Sequence, residues 1–168
     1  MDRQAFLLGR IRLVLGLFII GLVVSGLTAF PLEWELNTLA RWMGAPDNAT
    51  VDSTTGLLQW IVRVRNGLTD TYSRYPWLAY GTDWLAFGHL MIAVAFIGAL
   101  RDPRRNIWVV EFGIIACAMV VPAALICGPI RGIPVYWRLI DCSFGVFGIV
   151  PLWLVRRYIL QLDAKTFG

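Results

Sequence analysis

The sequence has few charged residues and only one histidine, the commonest metal-ligating side chain. Of its 168 residues only 15% are charged, and there is a single histidine, His89, whereas soluble domains are about 25% charged. One histidine excludes a bis-histidine haem and the HExxH zinc motif within one chain. The chain also lacks GxSxG, GxGxxG, a Walker lysine and a redox CxxC pair, so the motifs of several common enzyme classes are missing.

What the sequence does contain is mostly apolar. Hydrophobic residues make up 58% of the chain, and the mean hydropathy is +0.65, which indicates an integral membrane protein. The length leaves room for one compact bundle, so we predict a single membrane domain over residues 1–168. In a membrane protein the net charge of +4 reports orientation in the bilayer, and we expect no nucleic-acid partner.

Four apolar runs predict membrane-spanning helices, because each is close to the ~20 residues that cross the hydrocarbon core. The predicted spans are residues 13–30, 84–100, 107–127 and 135–155. The first follows a basic flank, as a secretory signal does, but its apolar run is too long for a typical signal, so we expect it to be retained. The predicted fold is therefore all-α, an antiparallel four-helix transmembrane bundle.

Residues 31–81, between the first two spans, predict a helical loop outside the membrane. We expect a short helix over 32–43, a turn, and a second helix over 54–72 with Asp52 or Ser53 as its N-cap. Apolar residues at spacings of three and four predict one buried stripe on the second helix: Leu57, Ile61, Val64, Leu68 and Tyr72. That stripe should rest on the bundle as a lid or lie in the headgroup layer, with Arg63 in water.

Basic residues predict the orientation. Nine of them fall on one face of a four-span topology: Arg3, Arg10, Arg12, Arg101, Arg104, Arg105, Arg156, Arg157 and Lys165. Since cytoplasmic segments carry an excess of arginine and lysine, we expect both termini in the cytoplasm and residues 31–81 outside. The predicted location is a bacterial inner (plasma) membrane.

Ionisable residues inside the spans are the candidate functional groups. Such a residue costs about 2.5 to 3.5 kcal/mol on insertion scales, so it usually has a partner or faces a polar cavity. Arg138 and Asp141 lie three apart near the outer end of the fourth span, and His89 lies at a similar depth in the second. The candidate catalytic residues are His89 and Asp141. The candidate ligand-binding residues are Arg138, Arg131, Asp83, Trp84 and Trp137.

Two interpretations of these residues stay open. In the structural one, Arg138 pairs with Asp141 or Asp83 and extends toward the headgroups, while His89 bonds a backbone carbonyl. In the functional one, Arg138 and Arg131 hold an anionic or carbonyl group, and His89 with Asp141 exchanges protons.

The remaining polar groups inside the spans favour structural roles. A metal site built from His89, Asp141, Cys127 and Cys142 has suitable ligand chemistry, but no spacing enforces it, and we predict none. Together with Cys117, both cysteines are expected to be inert apolar thiols. Glu111 is expected to pair with an arginine of the adjacent RDPRRN loop.

These patterns favour a non-catalytic accessory subunit, or a binder of a lipid or small amphiphile at a polar pocket in the outer leaflet. The alternative is a membrane enzyme that acts on a lipid-soluble substrate through acid–base chemistry of His89 and Asp141. A transporter or channel is the weakest alternative, because four spans leave little room for a pathway without oligomerisation. The expected partners are membrane lipids and either further copies of the chain or a larger membrane complex. No cofactor is indicated.

Overall fold

The structure is a computed structural model that describes residues 3–163. Lys165, one of the basic residues used to predict orientation, lies outside this range. Six α-helices form the described chain, with 3-10 turns at Val51–Ser53 and Pro76–Ala79. The helices are α1 (Arg3–Thr28), α2 (Leu32–Trp42), α3 (Gly56–Arg74), α4 (Tyr80–Arg101), α5 (Ile107–Ile130) and α6 (Val135–Asp163). The prediction of an all-α fold is confirmed for the described residues.

Four of these helices, α1, α4, α5 and α6, are long and apolar enough to cross a membrane. Each is longer than the apolar run that predicted it. Helix α5 has 24 residues, and at 1.5 Å per residue such a helix measures about 36 Å, which exceeds the ~30 Å hydrocarbon core.

The described residues divide into two compact units. Unit 1 combines the chain up to Gly21 with the chain from Ile92 onward, and unit 2 is Leu22–Met91. Apolar side chains from all four long helices form the core of unit 1, among them Ile11, Leu15, Phe96, Val110, Leu152 and Val155, each fully buried. Phe18 and Phe96 pack with ring centroids 4.9 Å apart, which fixes α1 against α4 within this unit.

In unit 1, α5 and α6 form an antiparallel hairpin with small residues between the helices. Residues early in α5 meet residues late in α6, as Gly113 meets Leu152, and Gly128 near the end of α5 meets Arg138 near the start of α6. A Cβ atom added to Gly148 would overlap the sulfur of Cys117. Glycine thus lets the helices approach closely, which is the packing that membrane helices favour.

A glycine in the left-handed region ends α5. Gly132 has φ +68°, and its N–H donates to the carbonyl of Pro129, while the N–H of Ile133 donates to the carbonyl of Gly128. These two bonds define a Schellman motif, which satisfies carbonyls that the helix end would leave free. Only two further residues, Ile133 and Pro134, precede the start of α6.

In unit 2, α3 packs against α2, and the start of α3 differs from the prediction. Asp52 and Ser53 do not cap α3, which begins at Gly56. Both lie in the 3-10 turn, where the Ser53 hydroxyl accepts a hydrogen bond from the N–H of Thr50 (3.1 Å) and donates one to its carbonyl (2.8 Å). Serine readily makes such local bonds, and here they close the earlier turn instead of the helix.

The buried face of α3 is rotated from the predicted stripe. Its centre is Ile61, Val62 and Arg65, which are 2%, 0% and 2% exposed. Leu57 is 40% exposed, so protein does not bury it, and the other stripe residues, Val64, Leu68 and Tyr72, are half-buried. Arg63 is exposed, as predicted. The apolar spacing located the helix but misplaced its inner face, because a buried arginine occupies the centre of that face.

Candidate functional site

Arg138 lies at the end of the α5–α6 hairpin that carries the turn. It is the fourth residue of α6, and its side chain crosses the last turn of α5 over Gly128. A Cβ atom added at Gly128 would lie 2.7 Å from Cγ of Arg138. Glycine at position 128 therefore makes the space in which the arginine stem rests.

The guanidinium of Arg138 lacks a partner within residues 3–163. The residue is half-buried, its Nε atom is buried without a hydrogen-bond acceptor, and the described chain supplies neither an ion pair nor a hydrogen bond to its other nitrogens. Arginine stays charged and carries five N–H donors. A buried donor without an acceptor costs about 1 to 3 kcal/mol, so this arrangement favours an acceptor from outside the described chain.

The predicted ion pair between Arg138 and Asp141 is wrong for the described residues, in which no salt bridge joins the two side chains. Asp141 is half-buried one turn further along α6. Long side chains on a helix lean toward its N-terminus, and that direction carries Arg138 away from Asp141 and over Gly128. A spacing of three residues places the pair on one face without making them touch.

Arg131 and Trp137 lie at the same end of the hairpin as Arg138. Arg131 is exposed and occupies the C-cap position of α5, where its backbone N–H donates to the carbonyls of Cys127 and Gly128. Trp137 is half-buried and directly precedes Arg138. The turn thus places two arginines and one tryptophan at one helix end.

Three other predicted site residues, Asp83, Trp84 and His89, lie on the first half of α4 and belong to unit 2. Trp84 is 56% exposed and packs edge-on against Tyr80 and Phe87, with ring centroids 5.9 and 5.5 Å apart. Asp83 is half-buried. That all the candidates form one site stays a prediction.

His89 makes the backbone hydrogen bond that the structural interpretation predicted. Its Nδ1 lies 2.9 Å from the carbonyl oxygen of Leu85. A carbonyl only accepts, so Nδ1 carries the proton and Nε2 is the remaining ring nitrogen. Gly26 of α1 packs against the same residue, since a Cβ atom added there would lie 3.1 Å from the His89 Cβ. The ring is therefore held in one orientation at the contact between α1 and α4.

Glu111 pairs with an arginine, although not with one from the adjacent loop. Nε of Arg156, late in α6, donates to the Glu111 carboxylate at 2.8 Å, and both side chains are partly exposed, at 39% and 41%. Pairing with an arginine is confirmed, and the loop as its source is wrong. The antiparallel hairpin brings together residues that are distant in sequence, so spacing alone could not identify the partner.

The cysteines and acidic residues form no metal centre among residues 3–163, where no three histidine, cysteine, aspartate or glutamate side chains are grouped so that they could hold a metal ion. Cys117 and Cys142 are half-buried free thiols, and Cys127 is an exposed one. The metal ligands considered from the sequence, Cys127 and Cys142 among them, are not brought together.

Comparison of the chain with protein-family models, with curated proteins and with solved structures finds no match.

Proposed function

We propose that the protein is a non-catalytic membrane protein that binds the anionic group of a lipid or similar amphiphile at the α5–α6 turn, with Arg138 as the anchor. The observation that carries this proposal is the half-buried guanidinium whose Nε is buried and which finds no acceptor within residues 3–163. The guanidinium of an arginine can donate two parallel hydrogen bonds to the oxygens of a phosphate or carboxylate. Such a ligand would supply acceptors for the terminal N–H groups of the guanidinium.

The surroundings of Arg138 suit an amphiphile. Arg138 is three residues beyond the first residue of α6, which corresponds to about 4.5 Å along the helix axis. An arginine this close to a span end can reach the headgroup level. Large apolar residues around the turn are strongly exposed, Ile130 at 74%, Val135 at 62% and Leu139 at 60%, so acyl chains would meet an apolar surface beside the arginine.

We further propose that the four spans form an antiparallel bundle in a bacterial inner membrane, with both termini in the cytoplasm and residues 31–81 outside. The support is the excess of arginine near the opposite span ends. In this topology the α5–α6 turn faces the outer leaflet. Labelling of a cysteine introduced at Asn48 by a reagent that does not cross the membrane tests the orientation, and labelling only from the cytoplasmic side would invert it.

The binding proposal is tested by native mass spectrometry of detergent-purified protein with added phosphatidylglycerol or phosphatidylcholine. We expect wild type to retain the anionic lipid preferentially and Arg138→Gln to lose about tenfold in affinity. A tenfold loss is about 1.4 kcal/mol, close to the lower end of the ~1.5 to 3 kcal/mol that a hydrogen bond with a charged group contributes. Arg138→Lys should fall between them, because lysine keeps the charge but not the fork.

The matched control is Arg157→Gln, which removes the same charge from the other end of α6. Arg157 is exposed and lies over the Trp153 ring at 4.8 Å. An equal loss in both glutamine variants would show nonspecific attraction by net charge and overturn the site. Equal retention of the two lipids by wild type would overturn it as well.

A further inference from the structure

The outward face of α2 carries two strongly exposed tryptophans. Trp34 is 67% and Trp42 is 85% exposed, whereas Ala40 is completely buried. At 3.6 residues per turn the two tryptophans are about 80° apart around the helix, both on the side away from Ala40. Since α2 packs against α3, the tryptophan face is the one directed away from that partner helix.

The chain ties the start of α2 to the end of a candidate span. Span α1 ends at Thr28 and α2 begins at Leu32, four residues later, so the two helix ends lie at most ~14 Å apart. At the other end of the segment, Trp77 and Leu78 are 66% and 51% exposed in the 3-10 turn that leads directly into α4. Both ends of the segment are therefore tied to spans, and each carries exposed tryptophan.

We infer that α2 lies in the headgroup layer with Trp34 and Trp42 directed into the bilayer, so that the partner of this face is a phospholipid surface. Tryptophan is enriched at the membrane–water interface, where its ring is partly desolvated and its N–H stays hydrogen-bonded. A helix that presents aromatic residues on one face and packs its other face on protein fits an interfacial position. Neither Arg138 nor its ligand enters this inference.

The same geometry places α3 on the water side of α2. The apolar residues Ile61 and Val62 of α3 are already buried, and Arg63 is exposed. Helix α3 was predicted to rest on the bundle as a lid or to lie in the headgroup layer, but the centre of its inner face is covered by protein. Helix α2 instead has a face with two tryptophans that protein leaves uncovered, and both ends of this segment connect directly to candidate spans.

Electron paramagnetic resonance of the full chain in nanodiscs of phosphatidylcholine and phosphatidylglycerol tests the inference. In a background with Cys117, Cys127 and Cys142 replaced by alanine, a nitroxide is attached at Thr38→Cys, one turn from each tryptophan. The matched label is at Arg63→Cys on α3. We expect the label at position 38 to collide readily with oxygen and severalfold less with a water-soluble nickel chelate than the label at position 63.

Three results would overturn the inference. Equal exposure of both labels to the chelate would place α2 in water. Shielding of the label at position 38 from oxygen and chelate alike would show that protein, such as a second copy, covers the face. An unchanged label at position 38 in a Trp34→Ala, Trp42→Ala variant would show that the tryptophans do not anchor α2, whereas movement of that label toward water would support their role.

Discussion

The protein contains two helical hairpins, α2–α3 in unit 2 and α5–α6 in unit 1. Their first helices end in the same type of turn, but different contacts hold the two helices of each hairpin together. The first helix of each ends at a glycine with positive φ, +91° at Gly44 and +68° at Gly132, in a Schellman turn. In α5–α6 the helices then meet through glycines. In α2–α3 a buried arginine, Arg65, donates to carbonyls of the connecting loop at Pro46 (3.3 Å) and Ala49 (3.1 Å).

This difference in helix contacts follows from composition, which indicates a lipid environment for α5–α6 and an environment outside the spans for α2–α3. Apolar burial gives no net drive between helices in lipid, so close contact through small residues has to hold α5 and α6. A short amphipathic hairpin outside the spans can bury a polar side chain provided that its donors are satisfied. Arg65 meets that condition with two loop carbonyls and the Asn66 side chain, 3.0 Å away, whereas Arg138 does not within residues 3–163.

The largest effect is expected at the glycine contacts of α5–α6. A Cβ atom at Gly145 would overlap the carbonyl oxygen of Cys117, a backbone atom that cannot rotate away. We expect Gly145→Ala to lower the free energy of unfolding by about 1 to 3 kcal/mol, as overpacking typically does. Thermal unfolding in detergent measures the loss. Gly16→Ala is the control, because nothing lies within 4 Å of a Cβ there; equal destabilisation by both would contradict the glycine contact.

The second effect is expected at Arg65. Replacing it with alanine leaves the loop carbonyls of Pro46 and Ala49 without this donor, and we expect a local loss of about 2 kcal/mol. Hydrogen exchange of residues 44–55, followed by mass spectrometry, should show faster exchange in Arg65→Ala. The adjacent Arg63→Ala changes an exposed side chain and should leave exchange unaltered. Unchanged exchange in both variants would show that the loop holds its conformation without the arginine.

How far the sequence predicts this structure depends on whether a feature is local. An apolar run of about 20 residues has few alternatives to a spanning helix, so the four candidate spans were predictable. The partner of Glu111 was not, because Arg156 is 45 positions away and only the hairpin brings them together. Arg65 was also unpredictable, because its acceptors are backbone carbonyls, which every residue carries.

The candidate site shows the same limit. Composition was enough to select Arg138, since a cation inside a span needs an explanation. The direction of the Arg138 side chain was not predictable from the spacing to Asp141, because the side chain lies in the space that Gly128 leaves on α5. The backbone hydrogen bond of His89, which the structural interpretation predicted, was predictable because a histidine can bond the carbonyl four residues earlier in its own helix. That bond requires no tertiary information.

The smallest effect is expected from the ion pair at the base of the α2–α3 loop. Nε of Arg41 donates to the Asp47 carboxylate at 2.6 Å, and both side chains are largely exposed, at 62% and 68%. This hydrogen bond is the main reason that the pKa of Asp47 lies below its usual value of 3.8; partial desolvation opposes it by less, and the charges of Arg41 and Arg65 lower the pKa by smaller amounts. Exposed pairs are screened by water and contribute little to stability.

The sign of the pH dependence follows from the lowered pKa of Asp47. The stabilisation is fully present above the unfolded-state pKa and is lost as the pH falls through the lower folded-state pKa, so the loop should loosen only below about pH 4. A nitroxide at Asn48→Cys should report a small rise in mobility there, absent from Asp47→Asn but retained in Asp52→Asn, which alters a separate exposed carboxylate. Arg65→Ala removes the hydrogen bonds to the loop carbonyls, which do not depend on pH in this range, and should enlarge the rise in mobility. An equal rise in mobility with and without Arg65 would show that the ion pair alone holds the loop. The two hairpins would then differ in surface charge and not in a buried arginine.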